Sequence, residues 1–284
     1  MKRIALRQGT LEYVDVGEGP TLLFVHGVLV DHQIWSDVVE RLSGSFRCIA
    51  PRFPSGCHHV PMNADADLSV RGHARLVADL LDALDVRDVT LVGNDTGGAV
   101  CQLVVAEAPP RVARLVLTDC DSFEVFPPRG FGHLVWGAKI PGLPKLLFSA
   151  MRRLPPLARL RWAYGALTFR RLDPTLLRGW IEPVAQSPEI RRDLLKLLED
   201  AGPAITLEVA ERLHRFPGRV LLLWSRDDRF FPLSLGQRLA PKFRDARLDV
   251  IDRAGLLVPL DRPDAVASGI AAFVLEDRGA QRPA

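Results

Sequence analysis

Short apolar runs alternate with amphipathic stretches through the first part of the chain. Four compact apolar runs are typical of buried strands: TLLFV (21–25), FRCIA (46–50), DVTLV (88–92) and RLVLT (114–118). Between them, Ser69 to Val86 places apolar residues three and four positions apart, which predicts an amphipathic helix. A second helix is predicted from about Gly97 to Ala108. Strands interleaved with helices in this way indicate a parallel, doubly wound sheet.

This alternation is interrupted once. From residue 124 to residue 212 the chain contains helix-type segments separated by prolines, and strand signals return only with GRVLLLWS (218–225). We therefore predict one α/β core in two parts, residues 1–123 and 213–284, with a helical insertion over 124–212. An insertion between the end of one strand and the next core strand covers the carboxyl edge of the sheet, where open α/β folds bind ligands, so it is interpreted as a lid.

The composition indicates a globular protein with a sizeable apolar core. Apolar residues make up 48% of the 284 residues. The formal net charge is only +3, and a chain so nearly balanced is not expected to bind nucleic acid. The start of the chain, MKRIALRQGT, lacks the apolar stretch of a signal peptide, and no apolar run is long enough to span a bilayer. We therefore expect a cytoplasmic protein.

Four cysteines are scattered along the chain without the spacing of a metal site: Cys48, Cys57, Cys101 and Cys120. Cys101 and Cys120 lie in apolar stretches and are predicted to be core residues. A disulfide framework is not expected in a chain of this size. Because the sequence contains neither a ligand cluster nor a dinucleotide-binding loop, we predict no metal and no organic cofactor.

The decapeptide LVGNDTGGAV (91–100) runs from a predicted strand through a glycine-flanked turn into a helix. Its central pentapeptide GNDTG (93–97) has the G-x-nucleophile-x-G spacing of a nucleophile elbow, where small residues leave room for a sharp turn. Such a turn exposes Asp95 above the sheet and at a helix N-terminus, which favours a carboxylate. Asp is also a favoured N-cap residue, so a purely structural role for Asp95 is the alternative.

The elbow is accompanied by three further characteristic segments: FVHGVLV (24–30), LLLWSRDDRFFP (221–232) and IDRAGLLVPLDRPD (251–264). Together with the elbow, they closely resemble the α/β-hydrolase superfamily, over about residues 10–276. The resemblance implies an α/β-hydrolase fold, with a mostly parallel, doubly wound sheet and a helical lid inserted after the sixth strand.

The resemblance also implies roles for particular residues. The first segment resembles the loop after the third strand, which implies an oxyanion hole made by the backbone amides of Val28 and Thr96. The second resembles the segment that carries the catalytic acid, which implies Asp228, or Asp227 one residue earlier. An aspartate at the elbow resembles the haloalkane dehalogenase and epoxide hydrolase branches, in which the carboxylate forms an alkyl ester that an activated water then hydrolyses.

The chain departs from both branches. Dehalogenases carry a tryptophan directly after the aspartate, where this chain has Thr96, and many relatives have Asn-Pro where Val28 and Leu29 stand. Epoxide hydrolases typically use a pair of lid tyrosines, whereas Tyr164 is the single tyrosine of the predicted lid. Neither substrate class therefore follows from the sequence.

The third segment has Leu256 at the position of the catalytic histidine, and no histidine follows it in the chain. The usual base of the superfamily is therefore absent. The loop APRFPSGCHHVPMNADADLS (50–69) is expected at the same carboxyl edge as Asp95. We predict that His58 points toward Asp95 and replaces the missing base, and an ordinary loop histidine is the alternative.

Other candidate site residues lie near the same edge. Asp121 follows the sixth predicted strand, and it is interpreted either as the partner of a displaced base or as a polar cap on the first lid helix. An apolar substrate pocket is predicted to be lined by aromatic residues, with His133 facing the cavity: Trp35, Phe123, Phe126, Phe131, Trp136, Trp162 and Phe230.

The predicted lid is rich in basic residues. Between residues 139 and 178 it contains nine lysines and arginines and one acid, Asp173, interleaved with leucines. The pattern resembles basic amphipathic helices, which attract an anionic substrate or contact an anionic membrane surface. A solvated helix face whose apolar side packs on the core is the interpretation we favour.

The leading hypothesis is an enzyme that acts on a small, largely apolar substrate, with Asp95 as nucleophile in an aspartyl-ester hydrolysis or as general base in an isomerase, lyase or cyclase. The rival is a ligand-binding protein on a degenerate hydrolase fold, which Leu256 supports. A histidine within hydrogen-bond reach of Asp95 favours the enzyme. An apolar pocket around an unpartnered aspartate favours binding, or an acid of raised pKa. The sequence predicts no oligomeric state.

Overall fold

An eight-stranded sheet organises the computed structural model, which describes residues 1–107 and 109–280. The strands are β1 Lys2–Leu6, β2 Gly9–Val16, β3 Thr21–Val25, β4 Arg47–Arg52, β5 Val89–Asp95, β6 Val112–Cys120, β7 Arg219–Ser225 and β8 Ala246–Ile251. Their order across the sheet is β1-β2-β4-β3-β5-β6-β7-β8. β2 pairs antiparallel with β1 and β4, and the remaining pairs are parallel. The predicted mostly parallel sheet is confirmed.

Helices connect the strands and flank the sheet. Within the described residues they are α1 Ser36–Leu42, α2 Val70–Ala83, α3 Thr96–Ala106, α4 Gly132–Ala138, α5 Leu143–Arg153, α6 Pro155–Ala158, α7 Pro174–Gln186, α8 Pro188–Asp200, α9 Pro203–Ala210, α10 Leu233–Leu239, α11 Val258–Asp261 and α12 Pro263–Ala280. None of these helices combines the length and the apolar character needed to cross a membrane. Ala108, the predicted end of the second helix, and residues 281–284 of the predicted core lie outside the described residues.

β5 and α3 form the centre of the core. Every residue of both elements is buried. A helix that is buried all round has no polar face, which explains why the sequence of α3 is almost entirely apolar or small. Gln102 is the exception, and its side-chain amide donates to the backbone carbonyl of Asp121 at 2.9 Å. Cys101 and Cys120 are buried free thiols of this core, as predicted.

The segment between β6 and β7 is helical in the described residues. Helices α4 to α9 all fall within residues 124–212, which are called the insertion below. Two of its prolines mark helix starts: α7 begins at Pro174 after the Asp173 cap, and α8 begins at Pro188 after the Ser187 cap, whereas Pro183 lies inside α7. Proline fits the first turn because its missing N–H would have had no partner there. These two prolines therefore separate successive helices and do not interrupt the interior of either one.

The segment that follows β4 is anchored to α8 through a buried carboxylate. Asp193 accepts hydrogen bonds from the backbone N–H of Met62 at 2.8 Å and from Nε2 of His58 at 3.1 Å. Arg192 donates to the other carboxylate oxygen at 2.7 Å. Because His58 and Asp193 are both buried, this pair joins the core to the insertion away from solvent.

We expect Asp193→Ala to lower the free energy of unfolding by about 3 kcal/mol, because it leaves the buried His58 ring and the Met62 amide without their acceptor. Urea unfolding near neutral pH measures the loss. Asp65→Ala is the matched control, since Asp65 is exposed on the same segment and is expected to change stability by less than about 0.5 kcal/mol. Equal stability of the two variants would contradict the anchoring role.

Candidate active site

Asp95 stands at the sharp turn from β5 into α3. Its φ and ψ angles are 55° and −133°, in a region that residues with a side chain rarely adopt. The backbone is packed so closely here that a Cβ added to Gly97 would lie 2.3 Å from the carbonyl oxygen of Val25. The turn therefore has the strain and the close approach of a nucleophile elbow.

The carboxyl of Asp95 lies against the loop that follows β3. A Cβ added to Gly27 would lie 2.0 Å from Oδ2 of Asp95, so no larger residue fits there. Burial raises the pKa of Asp95 from 3.8 to about 7, although the backbone amides of Thr96 and Val28 face the carboxyl and lower it. Both protonation states of Asp95 are therefore populated near neutral pH.

Asp95 opens into an apolar cavity with about 870 Å³ of space between atoms, its open mouth included. Two further polar side chains, Thr96 and Asp121, line the same region, and the hydroxyl of Tyr164 is turned away to donate to the Leu29 carbonyl at 2.8 Å. The core contributes the apolar residues Val28, Leu29, Val30, Leu256 and Leu257. The insertion contributes Phe126, Pro127, Pro128, Phe131, Val135, Phe148, Met151, Trp162, Ala163, Tyr164, Leu167, Leu197, Leu198 and Ala201.

Asp121 is a second buried carboxyl in this cavity. Its Oδ2 accepts a hydrogen bond from Oγ1 of Thr96 at 3.0 Å, and its Oδ1 has no partner among the described residues. Burial and the nearby charge of Asp95 raise the pKa of Asp121 well above its usual range. It does not cap the first helix of the insertion, because α4 begins at Gly132. The protonation of Asp121 is thus coupled to the charge of Asp95.

Asp228 follows β7 and is buried near the cavity without lining it. Its Oδ1 accepts from the backbone N–H of Phe230 at 2.7 Å, and its Oδ2 has no partner in the described part of the chain. Burial raises the pKa of Asp228 to about 7, and the charge of Asp95 adds to this rise. Asp227, the runner-up in the sequence, is exposed.

Leu256 lies in the loop after β8, where its side chain lines the cavity and is 3% exposed. The side-chain amide of Asn94 donates to the Leu256 carbonyl at 2.9 Å, so the elbow itself fixes this loop. None of the histidines in the described residues lines this cavity. No described group of three or more histidine, cysteine or acidic residues is arranged to hold a metal ion.

The prediction that His58 points toward Asp95 is wrong. His58 makes its hydrogen bond to Asp193 and does not line the cavity. Burial lowers the pKa of His58, and the Asp193 carboxylate partly offsets this effect. The reason is the position of α8, which brings a carboxylate to the loop from far along the sequence. His26 shapes its loop by accepting a hydrogen bond from the backbone N–H of Phe53 at 2.9 Å.

The predicted aromatic lining is correct in part. Phe126, Phe131 and Trp162 line the cavity. Trp35 does not, because it is a fully buried core residue whose ring centroid lies 5.2 Å from that of Phe24. Phe123 is also buried outside the cavity, where the guanidinium of Arg238 lies 4.6 Å from its ring centroid.

Three further residues predicted to line the cavity also lie outside it. Trp136 is 74% exposed, because Val135 takes the inward position on α4 and the next residue of a helix points elsewhere. Phe230 packs on Phe131 with ring centroids 4.9 Å apart. His133 is exposed and lines a neighbouring apolar space that also includes Trp162.

Several lining residues were not predicted, among them Phe148, Met151 and Leu197. Phe148 and Met151 are three positions apart on α5, where they form the buried side of an amphipathic helix. Leu197 lies on the buried side of α8. The apolar faces of the insertion helices therefore indicate these lining residues in the sequence, since such faces are directed toward the core.

Comparisons with known proteins agree with this architecture. Residues 22–268 match the family model described as "Alpha/beta hydrolase family". A 2-hydroxy-6-oxo-6-phenylhexa-2,4-dienoate hydrolase of Comamonas testosteroni is 29% identical over 266 residues, which cover 89% of this chain and 87% of that protein. Haloalkane dehalogenase 2 of Mycobacterium tuberculosis is 26% identical over 277 residues, covering 93% and 91%. An ancestral haloalkane dehalogenase structure has a TM-score of 0.81 at 18% identity, covering 98% and 100%.

The raised pKa of Asp95 predicts that Asp95→Asn stabilises the protein, and more so as the pH rises. Because the folded pKa exceeds the unfolded one, ionisation of Asp95 opposes folding from about pH 4 upward and reaches its full cost above about pH 7. A rise from 3.8 to about 7 corresponds to at most about 4 kcal/mol at pH 8. Urea unfolding of wild type and variant across this range measures the difference.

The exposed residue Asp65 supplies the control, since Asp65→Asn removes the same charge from the surface. We expect its effect on the free energy of unfolding to be small at every pH. A stabilisation by Asp95→Asn that does not grow between about pH 5 and pH 8 would show that Asp95 ionises normally.

Proposed function

We propose that this chain, which belongs to the alpha/beta hydrolase family, is a hydrolase in which Asp95 forms an ester with a small, largely apolar substrate. The observation that carries the proposal is the placement of one carboxyl between two backbone amides and an apolar cavity. Oδ2 of Asp95 lies against Gly27, which leaves Oδ1 as the atom that attacks. The insertion acts as a lid, because it supplies most of the apolar lining.

In the first step, the ionised Asp95 carboxylate attacks a saturated carbon of the substrate. A bond forms between Oδ1 and this carbon, and the bond to the leaving group breaks with its electron pair. A carboxylate needs no base to become a nucleophile. With a pKa of about 7, a substantial fraction of Asp95 is ionised at neutral pH and most of it above pH 8.

In the second step, Asp121 takes the place of the missing histidine. An esterified Asp95 carries no charge and no longer raises the pKa of Asp121, so Asp121 loses its proton to solvent more readily. The Asp121 carboxylate then accepts a proton from a water that attacks Cγ of the ester. The amides of Val28 and Thr96 stabilise the negative charge that develops on the carboxyl oxygen. The ester bond then breaks with its electron pair on the alkyl oxygen, which takes the proton back from Asp121 and leaves as the alcohol, and Asp95 is regenerated.

The relatives support a hydrolytic reaction without selecting the substrate. One is named a dienoate hydrolase and another a haloalkane dehalogenase. The side chain of Leu256 lines the cavity where the resemblance to the superfamily places the catalytic histidine. Asp228, with Oδ2 unpaired, is the carboxylate that would orient such a histidine. In this chain it has none to orient.

The raised pKa of Asp95 favours a second candidate function, which is proton transfer without an ester. A carboxyl with a pKa of about 7 exchanges protons readily at neutral pH, and this is the property that a general base requires. In this case Asp95 removes a proton from the substrate, and Asp121 returns one elsewhere. The reaction is then an isomerisation, elimination or cyclisation.

The ester mechanism predicts a covalent intermediate that depends on Asp95 and persists when Asp121 is replaced. The probes are primary bromoalkanes and terminal epoxides of about four to eight carbons. We expect Asp121→Asn to slow ester hydrolysis by about 10² to 10⁴, so that intact-protein mass spectrometry shows an adduct on the peptide containing Asp95. Asp95→Asn serves as the control and should neither form the adduct nor release product.

The two candidate functions separate in this experiment. Product formation by wild type without any adduct in Asp121→Asn contradicts the ester mechanism and supports proton transfer. If a ligand that occupies the cavity is neither converted nor attached in any variant, both catalytic candidates are wrong and the protein only binds.

The proposal also predicts that Leu256→His restores a faster second step. The new imidazole would face the cavity and would find an acceptor in Oδ2 of Asp228. In the Asp121→Asn background we expect the adduct to disappear about 10² to 10⁴ times faster. Leu257→His is the matched control, since Leu257 lines the same cavity one residue later. Equal adduct lifetimes in the two variants would contradict the assigned position of the base.

A further inference from the structure

A basic groove begins where the Asp95 cavity ends. Val135 and Leu198 line both the cavity and a wider groove between α4, the start of α5 and α8. α8 forms the wall between the two spaces, because Leu197 lies on its cavity side and Leu195 on its groove side. The two spaces adjoin at Val135 and Leu198, which form the border that a ligand reaching from the cavity into the groove would cross.

The charges along the groove are mostly positive. Its lining contains five cations, Lys139, Lys145, Arg191, Arg192 and Lys196, and one carboxylate, Glu199. Among the described residues, only Arg192 of these five is paired with a carboxylate. Arg191 and Lys196 donate to backbone carbonyls, which carry no net charge, and the charge of Arg191 also acts on the nearby Glu189 carboxylate.

The two lysines at the outer edge are placed to receive a ligand. Lys139 and Lys145 are exposed, and neither is paired with a carboxylate in the described part of the chain. The ammonium group of Lys139 lies 5.6 Å from the ring centroid of Trp136, an arrangement that holds it at the groove. Flexible ammonium groups of this kind bind an anion without displacing an internal ion pair.

The cavity itself is unsuited to an anionic group. Its lining contains two carboxyls, Asp95 and Asp121, and no lysine or arginine among the described residues. An anion placed there would lose its hydration and would be repelled by an ionised Asp95. An anionic group on a ligand is therefore better accommodated outside the cavity, beside basic side chains such as those of the groove.

We propose that the substrate is an anionic amphiphile, with its apolar part in the Asp95 cavity and its carboxylate or similar anionic group against Lys139 and Lys145. This inference rests on the proposed function, because it assumes that the Asp95 cavity is where the substrate binds. It assigns the basic residues of the insertion to one end of the substrate. The reacting carbon lies in the apolar part, away from the charged end.

The test compares octanoate with octan-1-ol, which share the apolar chain and differ in charge. Tryptophan fluorescence titration near pH 8 and at low salt measures both dissociation constants, since Trp162 lines the cavity. We expect wild type to bind octanoate about tenfold more tightly than octan-1-ol. The preference should shrink in about 0.5 M NaCl, because the lysines are exposed to screening. It should persist in Asp95→Asn, whose reacting carboxyl is gone.

Charge-reversal variants locate the preference. The double variant Lys139→Glu/Lys145→Glu is expected to bind octanoate no better than octan-1-ol. The control Arg87→Glu/Arg244→Glu changes the net charge equally at two exposed positions just before β5 and β8, and should keep the preference.

The outcomes separate the groove from the cavity. Equal binding of octanoate and octan-1-ol by wild type, or a preference that survives in Lys139→Glu/Lys145→Glu, overturns the anionic-substrate proposal and leaves the ester mechanism intact. Failure of octan-1-ol to bind at all contradicts the apolar cavity on which both proposals depend.

Discussion

The left-handed turn at Asp95 is the constraint on which the rest of the site depends. A positive φ at a residue with a side chain is tolerated only where the surroundings hold it in place. Here the strand β5 and the helix α3 that meet at the turn are buried along their whole length. Close packing fixes the backbone, with Gly27 and Gly97 leaving the necessary space. The same turn positions the side chains of Asn94 and Thr96, which donate hydrogen bonds to the Leu256 carbonyl and to the Asp121 carboxyl.

The parts of the site that follow from the local chain could be predicted from the sequence. The spacing GNDTG is enough to place Asp95 at a sharp turn, because the steric demand of that turn is met by residues directly beside it. The alternation of apolar runs gives the parallel sheet for the same reason. Val28 and Thr96 could be named from the resemblance, and their backbone amides do face Asp95.

The parts that depend on long-range packing could not be predicted. Nothing near His58 in the sequence indicates a buried carboxylate 135 positions away on α8. Residue type alone favours aromatic side chains for an apolar pocket, whereas the side of the helix on which a residue lies decides whether it faces the cavity. Val135 and Trp136 are neighbours in the chain, yet one lines the cavity and the other is exposed. Relative helix positions are a property of the whole core, which a local pattern does not specify.

Asp95, Asp121 and Asp228 are buried carboxyls with raised pKa values, and the charge of Asp95 contributes to the rise at the other two. A molecule that enters the cavity changes the solvation of Asp95 and Asp121, which line it, so we expect binding to change how many hydrogen ions the protein holds. Binding at this site is therefore coupled to exchange of hydrogen ions with the medium. The heat released on binding depends on the ionisation enthalpy of the buffer, and the apparent affinity depends on acidity even for a ligand that does not itself titrate. Occupancy of the cavity is thus linked to the uptake or release of protons by the protein.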